Sequence, residues 1–395
     1  MTIEGSNLGL KKEDVQGKIK IGDVPCELVN YEVSVKIQCV TGPSGGEMTA
    51  PIIVGNEAGF TESSVEFSYK DIKLFGIDPT KGPLSGGTQL AIRGQYLNIG
   101  SEITAYLDDY VCQVNLTQAS SGRLTCITSR AHESVNIAKL TLSIDGANRT
   151  LEGNPFNYTQ DPTIMEIKPL KSFVSGGRMI FVHGTNLSSI QAPEMEVYSD
   201  GEPSVAINKT SCTVLSATQI ECPSPSVNRQ FLLASSRARR SLRQPSAIKV
   251  STVFLPSRPV SDSPTIFQMP EAQLIVKIGF IMDNVQSVKD LDKHFPNLRS
   301  QLLYVEDPKF FKFPNQIKLY KGDTLVIEGE NLNMASDETD VVVTIGTKPC
   351  NVTGLAMSQL VCSPPEQQPL DTDENGVKVL FYIDLIPPLH ATISD

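Results

Sequence analysis

The sequence contains no tryptophan, only four histidines and no uninterrupted apolar run of about 18 residues, the length a membrane-spanning helix needs. We therefore expect a soluble chain. Basic residues are also few: 34 Lys and Arg face 44 Asp and Glu, a net charge of -10. Because binding to phosphates requires a basic face, this balance disfavours a nucleic-acid partner. The first ten residues lack the basic and apolar regions of a signal peptide, so we expect either a cytosolic protein or a piece of a longer secreted chain.

The residues that are abundant favour short strands joined by turns. The chain has 28 Gly and 26 Pro, and 40% of its 395 residues are hydrophobic. That length exceeds what one hydrophobic core usually serves, so two to four domains are expected. Together these features predict a mostly β protein.

A short motif, Gly-x-[Asn/Tyr]-Leu, recurs at the ends of strand-like segments. It occurs at Gly5–Leu8, Gly94–Leu97, Gly184–Leu187 and Gly329–Leu332. The first three glycines are 89 and 90 residues apart. A period of about 90 residues without a helical pattern fits a small β-sandwich better than a solenoid unit of about 20 to 50 residues.

The repeat predicts four domains, at 1–70, 71–160, 161–306 and 307–395. The first begins in mid-strand and lacks its leading strand, so the chain resembles a fragment. The third exceeds the period by about 55 residues, and we assign the excess to an inserted basic, Ser/Pro-rich loop near 227–268. Asp-Pro pairs at two of the joints predict stiff, extended connections, because Pro restricts its own φ and the residue before it.

Two Ser-Gly-Gly segments, Ser85-Gly86-Gly87 and Ser175-Gly176-Gly177, precede alternating apolar and polar residues. A phosphate-binding glycine loop should instead follow a strand and open a helix. We therefore interpret both segments as turns that lead into strands.

Eight cysteines fall two to a repeat. The pairs are Cys26 and Cys39, Cys112 and Cys126, Cys212 and Cys222, and Cys350 and Cys362. This regularity predicts one local disulfide in each repeat and an oxidising compartment. Structural zinc sites usually have much closer Cys pairs with matching His, but zinc ligation and buried free thiols remain as alternatives.

Two further patterns belong to the secretory pathway. Six Asn-x-Ser/Thr sequons mark candidate N-glycosylation sites at Asn115, Asn148, Asn157, Asn186, Asn208 and Asn351. At Asn157 and Asn186 a strand or turn asparagine without glycan is the alternative. Arg237, Arg239, Arg240 and Ser241 match the Arg-x-[Lys/Arg]-Arg pattern of proprotein convertases, with cleavage after Arg240. A solvated Arg loop, in contact with heparan sulphate or free of it, is the competing interpretation.

No catalytic group was found with a supporting context: neither a nucleophile with a base, nor a carboxylate pair, nor a metal cluster, nor a nucleophile elbow. We therefore predict a non-enzymatic protein without cofactor or metal. Asp108-Asp109 and the segment Asp371–Asn375 are interpreted as solvated turns rather than calcium ligands.

Several motifs together resemble IPT/TIG domains, which are immunoglobulin-like sandwiches of receptor ectodomains and some transcription factors. These motifs are Pro-x-x-Gly-Pro-x-Ser-Gly-Gly-x-x-Leu-x-Ile-x-Gly (Pro79 to Gly94), a local Cys pair in each repeat, and the endings Phe67-Ser-Tyr69 and Phe156-Asn-Tyr158. The cysteines and sequons favour the receptors. The resemblance implies an all-β chain of tandem immunoglobulin-like sandwich domains that form an extended rod.

Longer segments are similar to plexins, the semaphorin receptors. They are TIEGSNLG (Thr2 to Gly9), IKIGDVPC (Ile19 to Cys26), QCVTGP (Gln38 to Pro43) and NYTQDPTI (Asn157 to Ile164). Other segments resemble both plexins and the related scatter-factor receptors of the Met type. Those are PLKSFVSGG (Pro169 to Gly177), GFIMDNV (Gly279 to Val285) and LLYVEDPKFFKF (Leu302 to Phe313).

The resemblance implies the extracellular stalk of a single-pass plasma-membrane receptor for semaphorins, with the stalk of a Met-type growth-factor receptor as the alternative. Its semaphorin-binding head and transmembrane segment would lie outside this sequence. The stalk would space and orient the head, and receptor self-association is an expected partner interaction. Taking about 30 Å for each compact repeat gives a rod of roughly 120 Å if straight.

Three other functions stay open at this point. The stalk could itself bind a ligand, a co-receptor or heparan sulphate through the Arg loop. It could be a spacer beside a secreted carbohydrate enzyme, although aromatic residues are only 6% and Trp is absent. A cytosolic DNA reader of the Rel type would need a basic face and reduced thiols.

Overall fold

A computed structural model describes residues 1–199, 205–228, 230, 273–313, 324–345, 348–366, 382–385 and 389–390. Almost all regular structure in these residues is β-strand, which confirms the all-β prediction. The chain divides into two compact units. The first comprises 1–80, 89–127 and 137–156; the second comprises 81–88, 128–136 and 157–395.

The first repeat is one six-stranded sheet with a single helical turn. Its elements are β1 (Thr2–Glu4), α1 (Lys12–Val15), β2 (Ile19–Ile21), β3 (Val24–Glu32), β4 (Lys36–Thr41), β5 (Met48–Asn56) and β6 (Gly59–Tyr69). The strand order is β1-β4-β3-β2-β5-β6. Alternate residues of the strands face inward, so Ile19, Ile37 and Val54 pack with Val15 of the helix in one core.

The second repeat follows the same plan with two additional strands. They are β7 (Lys73–Asp78), β8 (Lys81–Pro83), β9 (Gln89–Gln95), β10 (Ile103–Leu107), β11 (Tyr110–Asn115), β12 (Arg123–Thr128), β13 (Val135–Ile144) and β14 (Ala147–Thr159). A short 3-10 helix covers Leu116–Gln118. Strands β7, β9, β12, β11, β10, β13 and β14 are neighbours in that order. Strand β8 pairs in parallel with the end of β14, with Lys81 opposite Asn157.

The third repeat is a sandwich of two sheets. Its elements are β15 (Thr163–Lys168), β16 (Lys171–Phe173), β17 (Met179–Thr185), a 3-10 helix (Leu187–Ser189), β18 (Glu194–Tyr198), β19 (Ala206–Ser211), β20 (Thr213–Val214), β21 (Gln219–Pro223), β22 (Leu274–Ile281), α2 (Leu291–His294) and β23 (Gln301–Val305). The sheets have the orders β15-β17-β21-β20 and β16-β23-β22-β18-β19. One core contains Val182 from before the inserted segment, Val227 at its first position, and Phe280 and Leu302 from after it. The two parts of this repeat are therefore held together by apolar packing.

The fourth repeat is a sheet of the order β24-β25-β28-β27-β26-β29-β30. The strands are β24 (Lys309–Phe310), β25 (Leu325–Glu330), β26 (Val341–Ile345), β27 (Lys348–Leu355), β28 (Gln359–Ser363), β29 (Tyr382–Leu385) and β30 (Leu389–His390), and a 3-10 helix covers Glu338–Asp340. Phe173 and Val305 of the third repeat pack into the same core as Leu325 and Leu360. The four domain boundaries inferred from the sequence remain predictions.

Candidate functional site

Each repeat contains one disulfide, which links two cysteines 10 to 14 residues apart along the chain. The bonds join Cys26 to Cys39, Cys112 to Cys126, Cys212 to Cys222, and Cys350 to Cys362. The Cα–Cα distances are 5.5, 5.4, 4.2 and 5.6 Å, which a disulfide spans without moving the backbone. All eight cysteines are bonded in this way, so none is a free thiol or a zinc ligand. By loop-closure entropy each bond contributes about 3 kcal/mol.

A tyrosine near the end of each of the first three repeats bonds to the chain just after the second cysteine. Tyr69 donates its hydroxyl to the carbonyl of Gly42 at 3.2 Å, and Tyr158 donates to that of Ser129 at 2.9 Å. Tyr304 donates to the carbonyl of Pro225. Burial raises the pKa of the Tyr304 hydroxyl, so it stays a neutral donor.

In each case the accepting carbonyl lies three residues after the second cysteine of the repeat. The disulfide and the tyrosine hydrogen bond therefore both hold the short segment that follows the second cysteine. In the sequence, Phe-x-Tyr marked the ends of the first two repeats. The accepting residues, Gly42, Ser129 and Pro225, differ in type, so only the structure identifies these hydrogen bonds.

The two Ser-Gly-Gly segments form the same turn. Gly86 and Gly87 have φ of 68° and 87°, and Gly176 and Gly177 have 75° and 81°. These left-handed conformations favour glycine. A Cβ on Gly86 would also lie 2.5 Å from the carbonyl oxygen of Ser129.

The amides of these turns already donate to backbone carbonyls. Gly87 N–H bonds to the carbonyl of Thr128 at 2.8 Å, and Gly177 N–H bonds to that of Ser224 at 2.8 Å. Donors occupied in this way cannot surround a phosphate group. Both segments act as turns, and the phosphate-loop alternative has no support in the geometry.

At two of the joints, the aspartate of the Asp-Pro pair accepts hydrogen bonds from the Ser-Gly-Gly turn of the repeat before it. The Asp161 carboxylate accepts from Ser85 N–H at 2.9 Å and from Ser85 Oγ at 2.6 Å. Asp307 accepts the same two bonds from Ser175, at 3.0 and 2.9 Å. Both linkers are thus anchored by a charge-assisted pair of hydrogen bonds in addition to the restriction imposed by proline. Sequence reasoning predicted the stiffness but missed these carboxylate contacts.

The first linker is built differently, because no proline follows Asp71. Its carboxylate accepts from Arg149 Nε at 3.0 Å and Nη2 at 2.5 Å. Both side chains are 42% exposed, so the pair contributes about 0.2–1 kcal/mol after solvent screening. Lys70 lies 5.8 Å from the centre of the Tyr96 ring, a further weak cation–π contact.

The six sequon asparagines differ in exposure. Asn148, Asn208 and Asn351 are exposed, and Asn115, Asn157 and Asn186 are partly buried. Asn115 Oδ1 accepts from Thr117 N–H and Oγ1, at 3.1 and 2.7 Å. Asn208 Nδ2 donates to Ser226 Oγ at 3.0 Å. Glycosylation at these positions stays a prediction.

Several predicted features lie outside the described residues. They are the convertase motif at Arg237, Arg239, Arg240 and Ser241, and the segment Asp371–Asn375. Asp108 is described: its carboxylate accepts from the N–H groups of Ala138 and Lys139, at 2.8 and 3.1 Å. Asp108 therefore ties the turn between β10 and β11 to β13, whereas the sequence predicted a solvated turn. Among the described residues no cluster of three or more His, Cys, Asp or Glu side chains could hold a metal.

The third repeat carries a long connection, residues 282–300, where the second repeat has a tight turn between β13 and β14. This connection borders a cleft of about 470 Å3 that is lined in part by Tyr198, Lys277, Lys289 and Lys293. Lys277 Nζ lies 3.5 Å from an oxygen of Asp292. Burial, and a hydrogen bond to Glu196, raise the pKa of Tyr198. The cleft is a candidate binding surface.

The described residues thus define a tandem array of immunoglobulin-like β-domains with local disulfides. The IPT/TIG domain profile matches residues 1–69, 75–158, 162–242 and 312–383. The chain belongs to the IPT/TIG domain family. In the described part of the chain no helix is both long and apolar enough to cross a membrane.

The related proteins are plexins. Plexin-2 of Caenorhabditis briggsae is 30% identical over 381 residues, which cover 95% of this chain and 19% of the relative. Human Plexin-B1 is 32% identical over 387 residues, 94% of this chain and 17% of the relative. The solved structure of the full extracellular region of plexin A4 is similar over 97% of this chain and 28% of its own, with 25% identity and a TM-score of 0.59. The chain thus spans under a fifth of the length of these curated relatives.

Proposed function

We propose that this chain is an extracellular stalk segment of a plexin-type, single-pass receptor for semaphorins. It spaces and orients the ligand-binding head relative to the membrane and has no catalytic role. The observation that carries the proposal is the similarity to the plexin A4 extracellular region over 97% of the chain. The anchored linkers support it, because a spacer must resist bending at its joints. The expected shape is an extended rod.

The first experiment is secretion of the chain from mammalian cells, behind an added signal peptide, followed by a non-reduced peptide map. We expect four local disulfides and glycans on the exposed sequons, Asn148, Asn208 and Asn351. The matched controls replace the sequon Thr by Ala at Thr150, Thr210 and Thr353, which removes each glycan signal and leaves the asparagine in place. Free thiols together with unmodified asparagines would contradict an extracellular location.

We also propose cleavage after Arg240 by a proprotein convertase. The disulfide of the third repeat closes before the inserted segment, so no covalent bond joins the two sides of a cut. Packing of Val182 and Val227 against Phe280 and Leu302 would keep them together. We expect two fragments on a non-reducing denaturing gel but one species in native gel filtration. The Arg240→Ala variant should give one band in both. A single intact band from the unmodified chain in convertase-containing cells would refute cleavage.

A second candidate function is direct binding by the stalk, which the Arg cluster and the cleft favour; three lysines and two aspartates line that cleft. In the first proposal the semaphorin contacts the head alone, so an immobilised chain should capture neither a semaphorin ectodomain nor heparin. Capture of heparin that is lost on replacing Arg237, Arg239 and Arg240 by Ala would favour the second function. Arg93→Ala with Arg123→Ala is the matched control, since both arginines are exposed on the second repeat.

A further inference from the structure

In the second and third repeats, the residue that follows the Ser-Gly-Gly turn contacts the next repeat. Thr88 is only 1% exposed, and its Oγ1 donates to Asp283 Oδ2 at 2.6 Å. Arg178 occupies the equivalent position in the third repeat, and its Nη2 donates to Asp340 Oδ2 at 2.5 Å. The partners are 195 and 162 residues away along the chain. Two side chains of different chemistry thus make the same kind of contact at the same position.

The turn of the second repeat fits the surface of its partner closely. Asn284 N–H donates to the carbonyl of Gly86 at 3.1 Å. A Cβ on Gly87 would lie 2.6 Å from Cγ of Asn284, so only glycine allows this approach. Asp283 has φ of 49°, which turns its carboxylate and the next N–H toward the same turn. The start of the long connection 282–300 therefore docks on this turn.

The contact at Arg178 is ionic and joins its guanidinium to two aspartates and one backbone carbonyl. The Arg178 side chain is 10% exposed, and its Nη1 also donates to the carbonyl of Lys171 at 3.3 Å. Asp340 Oδ2 accepts a second bond, from Asp337 N–H at 3.0 Å. The carboxylate of Asp337 lies 3.9 Å from Arg178, and its side chain is 68% exposed. Arg178 thus contacts the 3-10 helix of the fourth repeat at its N-cap residue, Asp337, and at its last residue, Asp340.

We propose that the residue after the Ser-Gly-Gly turn is, in the second and third repeats, an inter-repeat latch, a donor that holds the following repeat by one of its aspartates. Thr88 latches through a neutral hydroxyl and Arg178 through a charge. The second latch is therefore the more salt-sensitive, because added salt screens the attraction of the guanidinium to Asp337, which is 68% exposed at 3.9 Å, more than it weakens a hydrogen bond from a neutral hydroxyl. These latches act within the chain and do not depend on its assignment to a receptor.

The first latch is tested by hydrogen exchange of the Asn284 amide in the full chain. Thr88→Val removes the hydroxyl and keeps the branched shape, and we expect exchange at Asn284 to rise about tenfold or more. Thr88→Ser keeps the donor and should retain the slow exchange. Thr49→Val is the matched control, because it removes an exposed hydroxyl contact to Ser68 within one repeat. Protection in β22 should be unchanged in all three variants.

Two results would overturn this latch. One is exchange at Asn284 within twofold of the unmodified chain in Thr88→Val. The other is equal loss of protection in Thr88→Ser and Thr88→Val. Should Thr88→Val also lose protection in β22, Asp283→Ala decides from the acceptor side. Asp283→Ala should then speed exchange of the Asn284 amide while the amides of β22 stay protected. Unchanged exchange at Asn284 in this variant would refute the latch.

The second latch is tested by salt. In the unmodified chain, raising NaCl from 0.1 to 1 M should speed exchange of the Asp337 and Asp340 amides severalfold and leave Asn284 unchanged. Arg178→Met keeps much of the apolar stem of the side chain. In this variant the Asp337 and Asp340 amides should exchange fast at both salt concentrations, without a salt effect. Arg93→Met is the control, since its pair with Asp78 is exposed and lies within one repeat. Equal salt responses at Asn284 and Asp340, or an Arg178→Met variant that behaves like the unmodified chain, would refute the proposed chemistry.

Discussion

Replacing Tyr304 by Phe removes one hydroxyl from the interior of the third repeat and leaves the ring in place. Tyr304 is fully buried, so the carbonyl of Pro225 loses its donor where water cannot replace it. An unpaired buried polar group costs about 1–3 kcal/mol, which raises the opening equilibrium of the repeat about 5- to 150-fold. Tyr158→Phe should cost a similar amount, because Tyr158 is also fully buried. Tyr69 is partly exposed and its bond is longer, so Tyr69→Phe should cost about 0.5–1 kcal/mol.

Native-state hydrogen exchange in increasing urea measures this loss for each repeat separately, which a single melting temperature of a multi-domain chain does not. Peptides from β23 report on Tyr304→Phe, and peptides from β6 report on Tyr69→Phe. Tyr106→Phe is the control, since Tyr106 is 37% exposed on β10. The reasoning is refuted if Tyr304→Phe leaves the opening free energy within about 0.3 kcal/mol of the unmodified chain, or if Tyr69→Phe costs as much as Tyr304→Phe.

Three further predictions concern the turns, the disulfides and pH. Gly176→Ala should destabilise the third repeat by more than about 2 kcal/mol in the same exchange assay, because its Cβ would lie 2.6 Å from backbone atoms. Gly146→Ala is the control: Gly146 has a similar φ but lies in open space, so the substitution should cost about 1 kcal/mol. Replacing Cys212 and Cys222 together by Ser should lower the opening free energy of the third repeat alone by about 3 kcal/mol. A loss of stability spread over all repeats would contradict the view that each disulfide stabilises only its own repeat. Burial raises the pKa of the Asp283 carboxyl, so the folded state binds the extra proton and stability falls as pH rises from about 3.8 through the raised value. Native-state exchange of β22, corrected for the intrinsic pH dependence of amide exchange, should show this contribution in the unmodified chain and lose it in Asp283→Asn.

Much of the architecture follows from local patterns. The cysteine spacings of 10 to 14 residues are those of neighbouring strands, and the structure pairs them in that way. Ser-Gly-Gly before an alternating segment indicates a turn, and both turns form. The repeat also anticipated the all-β, tandem immunoglobulin-like fold. The convertase motif lies outside the described residues and stays a prediction.

Other contacts had no local signature. Asp161 and Asp307 were recognised only as partners of proline, although their carboxylates bind serines 76 and 132 residues earlier. The long connection 282–300 had no assigned role, although it docks on a turn of the second repeat and borders a cleft. A carboxylate finds such donors only after both segments are placed by their cores, so sequence spacing carries no information about the pairing.

The sequence by itself determined the strands, the turns and the four local disulfides, because these depend on the conformational preferences and separations of neighbouring residues. Only the tertiary structure decided which carbonyl each tyrosine meets, which aspartate Thr88 and Arg178 hold, and how residues on both sides of the inserted segment share one core. The physical reason is that a hydrogen bond needs two atoms within about 3 Å in the correct orientation. For residues more than 100 positions apart, packing of the whole repeat sets that distance.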